Sequence, residues 1–248
     1  MPRRRLILPL VLGLSLGLAG CGSGAAKSGN TAVNAAATQQ GDESAPVTGT
    51  RATSNVDGQL TIRKGPSKDS GVLVRLSATT SLGTVRTLLV DPAKATQTGW
   101  VPVLLPTRPN GSSGWVAADD VRLENVHDRI TVDLTRRHMQ IYIDGKQITD
   151  ALVAIGPKAD PTPRGLFYVI DRIKAKNPGG GYGPFALGLS AHSPTLSAYG
   201  GGDAQIGIHG TDKPESIGKP ATHGCIRVTN DIAKLLEQVP LGTPVQIS

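Results

Sequence analysis

The chain has little cysteine, few aromatic residues and no long apolar run. Among its 248 residues are 2 Cys, 2 Trp, 4 Tyr and 2 Phe, and two cysteines exclude a disulfide scaffold. The 38% hydrophobic and 18% charged residues argue against both wholesale disorder and a multi-pass membrane protein. What is abundant is 31 Gly and 18 Pro, which favours short strands joined by tight turns over long helices. The composition therefore predicts a mostly β protein of one or two domains.

The net charge is modest. It amounts to +7, from 26 Lys and Arg against 19 Asp and Glu, and three of the positive charges are Arg3, Arg4 and Arg5. Without these three, 23 basic and 19 acidic residues leave +4, which is too weak and too diffuse for a nucleic-acid partner.

The first twenty residues form a targeting pattern. The arginines precede an apolar run from Leu6 to Leu18 that is shorter than the ~20 residues needed to span a bilayer. This indicates a signal peptide over residues 1–20. The end of this segment and the residue after it, Leu18-Ala19-Gly20-Cys21, resemble the lipobox of bacterial lipoproteins. This resemblance implies that Cys21 is acylated and becomes the new N-terminus. An ordinary signal peptide that ends in cysteine is the alternative.

Two segments follow before the C-terminal half. Residues 21–54 contain almost no large apolar side chains, which predicts a flexible linker. Residues 55–123 show short alternating runs between turn residues and resemble a small bacterial SH3-like domain. Gly99-Trp100-Val101 recurs as Gly114-Trp115-Val116. We expect both tryptophans to pack in the core of so small a barrel; a peptide-binding groove is the alternative.

Residues 126–248 have a more regular β pattern. Ile130 to Leu134 and Met139 to Ile143 alternate apolar and polar positions, and Asp144-Gly145 predicts a hairpin turn. One helix is expected, with apolar residues at Ile232, Leu235, Leu236 and Val239, a cap at Asn230 or Asp231, and an end at Pro240.

The candidate catalytic residues lie around Cys225. If Cys21 carries lipid, Cys225 is an unpaired thiol in an exported protein, which suggests reactivity. Only a thiolate is nucleophilic, so an imidazole must accept its proton. His209 lies sixteen residues before Cys225 and His223 two before it, and the residues alone leave either as the base. The amides of Gly224 and Cys225 could stabilise an oxyanion.

Other interpretations of these residues remain. His209, His223 and Cys225 could bind zinc, although the spacing is unusual and no fourth ligand stands out, and Cys225 could be a buried, inert residue. His192 is a candidate for a substrate contact. The glycine-rich segment 177–183, with Tyr182, is either a lid over the thiol or an ordinary loop.

The motifs Ile208-His209-Gly210-Thr211 and Thr222-His223-Gly224-Cys225-Ile226-Arg227 resemble the catalytic domain of the L,D-transpeptidases (YkuD-like), over about residues 126–248. The resemblance extends to Pro161–Phe167, Gly188–Ser190 and Leu241–Val245, and Thr222 stands where the family more often has Ser. It implies that Cys225 is the nucleophile and His209 the acid/base, oriented by the carbonyl of Gly210. It also implies that His223 shapes the site and that Arg227 orders the pocket.

The resemblance further implies a β-sandwich that cross-links peptidoglycan stem peptides 3→3 through a cysteine thioester, without metal or cofactor. Carbapenems are the expected inhibitors, and the expected location is extracytoplasmic, lipid-anchored to the membrane and facing the cell wall. Alternatives are an L,D-carboxypeptidase or endopeptidase that uses the same thioester, and a non-catalytic wall-binding lipoprotein. A papain-like or related cell-wall cysteine peptidase is a less favoured alternative, because those families place the cysteine before the histidine. We expect the 126–248 fragment to keep the chemistry on its own.

Overall fold

The computed structural model describes residues 49–248. The predicted signal peptide, the predicted lipidation site Cys21 and the predicted linker up to residue 48 lie outside the described residues. Within residues 49–248 there are fifteen strands and one α-helix, so the predicted mostly β fold with a single helix is confirmed. No helix of the described part is long and apolar enough to cross a membrane.

The N-terminal β region, residues 49–126, consists of two small sheets. Their strand orders are β4-β1-β7 and β3-β2-β6-β5. The strands are β1 (Gly49–Ser54), β2 (Gln59–Arg63), β3 (Val72–Ser77), β4 (Thr87–Leu89), β5 (Trp100–Leu104), β6 (Ser113–Ala117) and β7 (Val121–Val126).

Strand β1 begins six residues before the boundary predicted at residue 55. It is the middle strand of its sheet and pairs with β4 on one side and β7 on the other. Its only fully buried apolar side chain is Ala52. Backbone pairing on both edges orders this segment, and a sequence without large apolar residues gives no sign of such pairing.

The two tryptophans are half-buried and belong to neither hydrophobic core, so the expectation of core packing is wrong. Val101 and Val116 point into the core, and neighbouring side chains on a strand face opposite ways. Trp100 and Trp115 therefore face outward, each next to an inward valine.

The C-terminal β region, residues 127–248, is built on one eight-stranded sheet of order β10-β9-β8-β15-β11-β12-β13-β14. Two pairs are parallel, β15 with β8 and β13 with β14. The strands are β8 (Arg129–Asp133), β9 (His138–Ile143), β10 (Lys146–Leu152), β11 (Gly165–Lys174), β12 (Phe185–His192), β13 (Gln205–His209), β14 (Ile226–Arg227) and β15 (Pro244–Ile247).

Helix α1 (Asn230–Leu235) lies where the sequence predicts it and continues as a 3₁₀ turn, Leu236–Gln238. Its cap is Thr229, whose hydroxyl accepts from the Ile232 N–H, rather than Asn230 or Asp231. The Asn230 side chain is thereby available to the active-site region described below.

Strand β11 connects the two regions. Tyr168 and Ile170 are buried in the core of the N-terminal β region, and the Tyr168 hydroxyl donates to the carbonyl of Leu104 at 3.0 Å. Phe167 and Val169 face the other core, that of the C-terminal β region. Removing residues 49–126 would expose apolar surface on β11, so we no longer expect the C-terminal β region to behave as an independent fragment.

Candidate active site

The parallel pairing of β13 and β14 places the candidate catalytic residues on one face of the sheet. His209 lies opposite Arg227, and Ile208 opposite Ile226. Two residues back along the same face, the N–H of Gly207 donates to Cys225 Sγ at 3.4 Å. His209 and Cys225 consequently line the same cavity, together with Arg227 and His223.

The imidazole of His209 is buried, with 5% of its surface exposed. Its Nδ1 lies 2.6 Å from the carbonyl oxygen of Gly210; because a carbonyl only accepts, Nδ1 carries the proton and Nε2 keeps a free lone pair. Burial lowers the pKa of His209 to about 4, and the charge of Arg227 acts in the same direction, while the bond to Gly210 opposes them. The ring is therefore neutral at pH 7 and able to accept a proton.

Gly210 is held in place where the glycine-rich loop, the end of β13 and the start of α1 pack closely together. A Cβ on Gly210 would lie 2.4 Å from Asn230 Oδ1 and 2.9 Å from the Cα of Gly183. Gly183, at the end of the glycine-rich loop, has φ +63°, and a Cβ on it would lie 2.6 Å from the Cα of Gly210. Asn230 Oδ1 accepts from the N–H of Thr211 at 2.9 Å. The loop, the strand end and the helix start thus lock the carbonyl that orients His209.

Cys225 is a partly buried thiol with one backbone donor and one cation nearby. Burial raises its pKa above the ordinary value, whereas the N–H of Gly207 and the charge of Arg227 lower it in part. A thiol with a raised pKa beside a neutral imidazole is protonated at rest. It becomes nucleophilic only as the imidazole removes its proton.

The Thr222 hydroxyl shapes the turn that presents the thiol. It accepts from the Gly224 N–H at 3.1 Å and donates to the Cys225 carbonyl at 2.6 Å. The Gly224 amide is therefore occupied, so it does not face a substrate as predicted from the sequence. Gly224 instead allows the chain to turn, since its φ of +106° favours glycine. Its carbonyl accepts a hydrogen bond from the Thr162 hydroxyl.

Aromatic side chains form the walls of the cavity. The ring of Tyr182 lies 4.7 Å from that of His209, and the ring of Tyr199 lies 4.9 Å from that of His223. His223 is exposed, so it covers the entrance rather than packing within the fold. His192 is buried, its Nε2 donates to Asp203 at 2.9 Å, and it does not line the cavity that contains His209, His223 and Cys225.

Two cavities meet at the thiol. The smaller, about 150 Å³, extends toward Thr222, His223 and Arg227. The larger, about 600 Å³, crosses the sheet from Cys225 to Asp171 on β11. Its floor contains Gly207 and Gly188, which lie in one row with Asp171 and carry no side chains. Three strand spacings make this trough about 14 Å long.

No group of three or more residues able to hold a metal ion is present in residues 49–248. No sequence pattern indicated an active-site role for Thr162, Asn230 or Tyr199. Among the residues that shape the site, Thr222 does carry a recognisable sequence pattern, because a threonine two residues before the N–H that it bonds is typical of a turn.

Comparison with known proteins agrees with the family resemblance of the sequence motifs. The L,D-transpeptidase catalytic domain of the YkuD family matches residues 127–247. The L,D-transpeptidase homologue YkuD of Bacillus subtilis (strain 168) is 34% identical over 155 residues, which cover 58% of this chain and 84% of that protein. The chain belongs to the L,D-transpeptidase family. Its members are enzymes, and the predicted L,D-transpeptidase catalytic domain is confirmed.

Other L,D-transpeptidases are similar over parts of the chain. YqjB of Bacillus subtilis is 35% identical over 127 residues, covering 48% of this chain and 70% of that protein. The solution structure of the Enterococcus faecium L,D-transpeptidase catalytic domain acylated by ertapenem is 29% identical, covers 49% of this chain and 96% of that one, and has a TM-score of 0.36. A crystal structure of an Enterococcus faecium L,D-transpeptidase mutant is 27% identical, with 50% of each chain covered and a TM-score of 0.38, so this chain spans about half of that protein.

Proposed function

We propose that this L,D-transpeptidase joins peptidoglycan stem peptides by 3→3 cross-links through a thioester on Cys225. The observation that carries the proposal is that the Cys225 thiol and a buried imidazole oriented by a backbone carbonyl line one cavity. Of the two histidines that line this cavity with Cys225, only His209 is buried and bonded through Nδ1 to a carbonyl, which leaves Nε2 as the acceptor. His223 is exposed and stacks on Tyr199, so we assign the base to His209.

In the first half-reaction, His209 Nε2 takes the proton of Cys225 as Sγ attacks the carbonyl carbon of the third residue of the donor stem. The tetrahedral oxyanion is stabilised by the Cys225 N–H and by the charge of Arg227, because the Gly224 amide is engaged by Thr222. The C–N bond to the terminal D-Ala then breaks, and its amine leaves with the proton from His209. A thioester remains.

In the second half-reaction, the side-chain amine of an acceptor stem attacks the thioester carbonyl. His209 takes a proton from this amine, the C–S bond breaks, and the thiolate regains a proton. The steps use a thiolate, an imidazole, the Cys225 N–H and the charge of Arg227, so the proposed chemistry assigns no role to a metal or cofactor.

The trough from Cys225 to Asp171 supports a peptide acceptor. Its volume of about 600 Å³ greatly exceeds the ≈ 30 Å³ share of a water molecule. It leads directly to the thiol, as a second substrate requires. Hydrolysis of the same thioester, which would make the protein an L,D-carboxypeptidase or endopeptidase, is the second candidate, since the open trough also admits water.

Incubation of the full chain with purified muropeptides, followed by mass spectrometry, separates the two reactions. Transpeptidation yields dimers that lack one D-Ala per bond formed, whereas hydrolysis yields only monomers shortened by D-Ala. Cys225→Ala is the matched control and should yield neither. Monomeric products alone would replace the cross-linking proposal by the hydrolytic one.

We further propose that carbapenems acylate Cys225. A strained β-lactam carbonyl would occupy the position of the donor carbonyl, and ring opening would leave a stable thioester. A relative at 29% identity has been described as acylated by ertapenem. The non-catalytic alternative, a wall-binding lipoprotein, predicts no adduct.

We also propose that the protein is an extracytoplasmic lipoprotein with an SH3-like N-terminal β region. The lipobox at Cys21 supports the anchor, and two small antiparallel sheets in residues 49–126 support the SH3-like assignment. Cys21→Ala should leave the precursor unprocessed or release the protein from membranes. A membrane-bound Cys21→Ala variant of mature length would contradict lipidation at this residue.

A further inference from the structure

The segment between β12 and β13, residues 193–204, forms one wall of the active site. Tyr199 near its tip lines both cavities that meet at Cys225. The tip is a tight turn in which Tyr199 and Gly202 exchange backbone hydrogen bonds at 3.0 Å. The pairing register of β12 and β13 shifts between Gly188 and His192. At the base of the segment, His192 pairs with Gln205, and the Ser193 N–H donates to the carbonyl of Ala204 at 2.9 Å.

Two side chains of the N-terminal β region add hydrogen bonds to this segment from outside it. Arg108 donates from Nη1 to the carbonyl of Ser193 at 2.5 Å, and from Nη2 to the carbonyls of Leu196 and Asp203 at 2.8 Å each. Asn110 donates to the carbonyl of His192 at 2.8 Å and accepts from the N–H of His192 at 2.9 Å. Five hydrogen bonds therefore join one loop to both ends of the wall segment.

The catalytic pair is held by other contacts. His209 is fixed by Gly210 and, through it, by Asn230 on α1. Cys225 is fixed by Gly207 on β13 and by the Thr222 turn. Loosening the wall should thus change the shape of the cavity while leaving the thiol and imidazole in place.

We propose that Arg108 and Asn110 are positioning residues, through which the N-terminal β region sets the Tyr199 wall of the substrate cavity. The ligand that this wall meets is the peptide substrate of the proposed transpeptidase, so the kinetic part of this inference rests on that function. Arg108 acts through three carbonyl oxygens of one segment and has no contact of its own with the reacting atoms. Pre-ordering of the wall lowers the entropy cost of binding.

The test uses the full chain with Arg108→Ala, Arg108→Lys and Asn110→Ala. Arg122→Ala is the matched control, because Arg122 is an exposed arginine of the same region that pairs only with Glu124. Hydrogen exchange of residues 193–204 should rise in Arg108→Ala and Asn110→Ala and stay unchanged in the control. KM for a tetrapeptide donor should rise about tenfold in Arg108→Ala, the size expected for lost bonds to a charged donor, with kcat within about threefold. Arg108→Lys should restore part of the loss.

A double-mutant cycle with Tyr199→Ala distinguishes positioning from a merely structural role. If Arg108 acts through this wall, Arg108→Ala should add less than about twofold to KM once Tyr199 is removed. Independent, multiplicative effects would overturn the proposal, as would unchanged exchange in 193–204. Failure of Arg108→Ala, Arg108→Lys and Asn110→Ala to fold would assign these residues to folding instead. If the wild-type protein turns over no tetrapeptide, the proposed function fails, while exchange and carbapenem acylation still decide this inference.

Discussion

His209 donates a hydrogen bond from Nδ1 to the carbonyl of its own chain neighbour, Gly210, at 2.6 Å. The contact is local, yet it is held by distant elements, because Gly183 and Asn230 pack against Gly210 so closely that no side chain fits there. It fixes the proton on Nδ1 and leaves Nε2 as the base. The catalytic tautomer is thus a consequence of backbone packing.

The pH dependence of acylation should reflect a neutral His209. Burial lowers the pKa of this imidazole to about 4, so the base stays unprotonated well below pH 6.5. The second-order rate of carbapenem acylation should therefore be nearly flat from about pH 5 to 8 and fall only below that range. In His209→Gln, the rate should rise about tenfold per pH unit, because only the free thiolate reacts. A wild-type rate that halves between pH 7 and 6 would contradict the assigned protonation state.

The same group should make stability depend on pH. The pKa of His209 in the folded state lies below its usual value of 6.5, so the unfolded chain binds the proton more readily. Stability is full above pH 6.5 and is lost as the pH falls from 6.5 to 4, by about 3 kcal/mol at most. Thermal melts of wild type and His209→Gln over this range measure the difference. Parallel pH profiles would show that His209 is not the group responsible.

Substitutions of the two histidines should have different effects on acylation. His209→Gln should slow acylation by about 10²–10⁴-fold, as for a lost acid/base group. His223 is exposed, so His223→Gln should change the free energy of unfolding by less than about 0.5 kcal/mol and keep most of the acylation rate. Intact-mass kinetics and melts on the same samples measure both. A well-folded His223→Gln that does not react, beside an active His209→Gln, would move the base to His223.

Thr222 should be required for the shape of the nucleophile turn. Thr222→Val keeps the volume but removes an acceptor for Gly224 N–H and a donor to Cys225 O. Each buried group left unpaired costs about 1–3 kcal/mol, so the melting temperature and the acylation rate should both fall. Thr222→Ser keeps the hydroxyl and is the control, which should remain close to wild type. Equal behaviour of the two variants would show that the hydroxyl is dispensable.

The sequence predicted the β content, the position of α1 and the residues that meet at the site, because each depends on local periodicity or on a compact motif. The outward orientation of Trp100 and Trp115 was missed, since residue size favoured the core and the alternation with Val101 and Val116 was given less weight. Strand β1 was missed because its order comes from pairing with β4 and β7.

Contacts between distant parts of the chain account for the remaining differences. Sequence reasoning placed every candidate catalytic residue within 126–248, and so expected that fragment to suffice. The burial of Tyr168 under the N-terminal β region and the bonds from Arg108 to the wall segment carry no local pattern. The Gly224 amide, expected to face substrate, is instead paired by a hydroxyl two residues earlier.

The central claim is that Cys225 carries the donor stem as a thioester, which the acceptor then removes. Rapid-quench mass spectrometry of the full chain mixed with a tetrapeptide muropeptide tests it most directly. We predict a transient adduct equal in mass to the donor minus D-Ala, located on the peptide containing Cys225, and lost at the rate at which dimers form. Formation of dimers by Cys225→Ala, or turnover of the donor without an adduct on Cys225, would contradict the account.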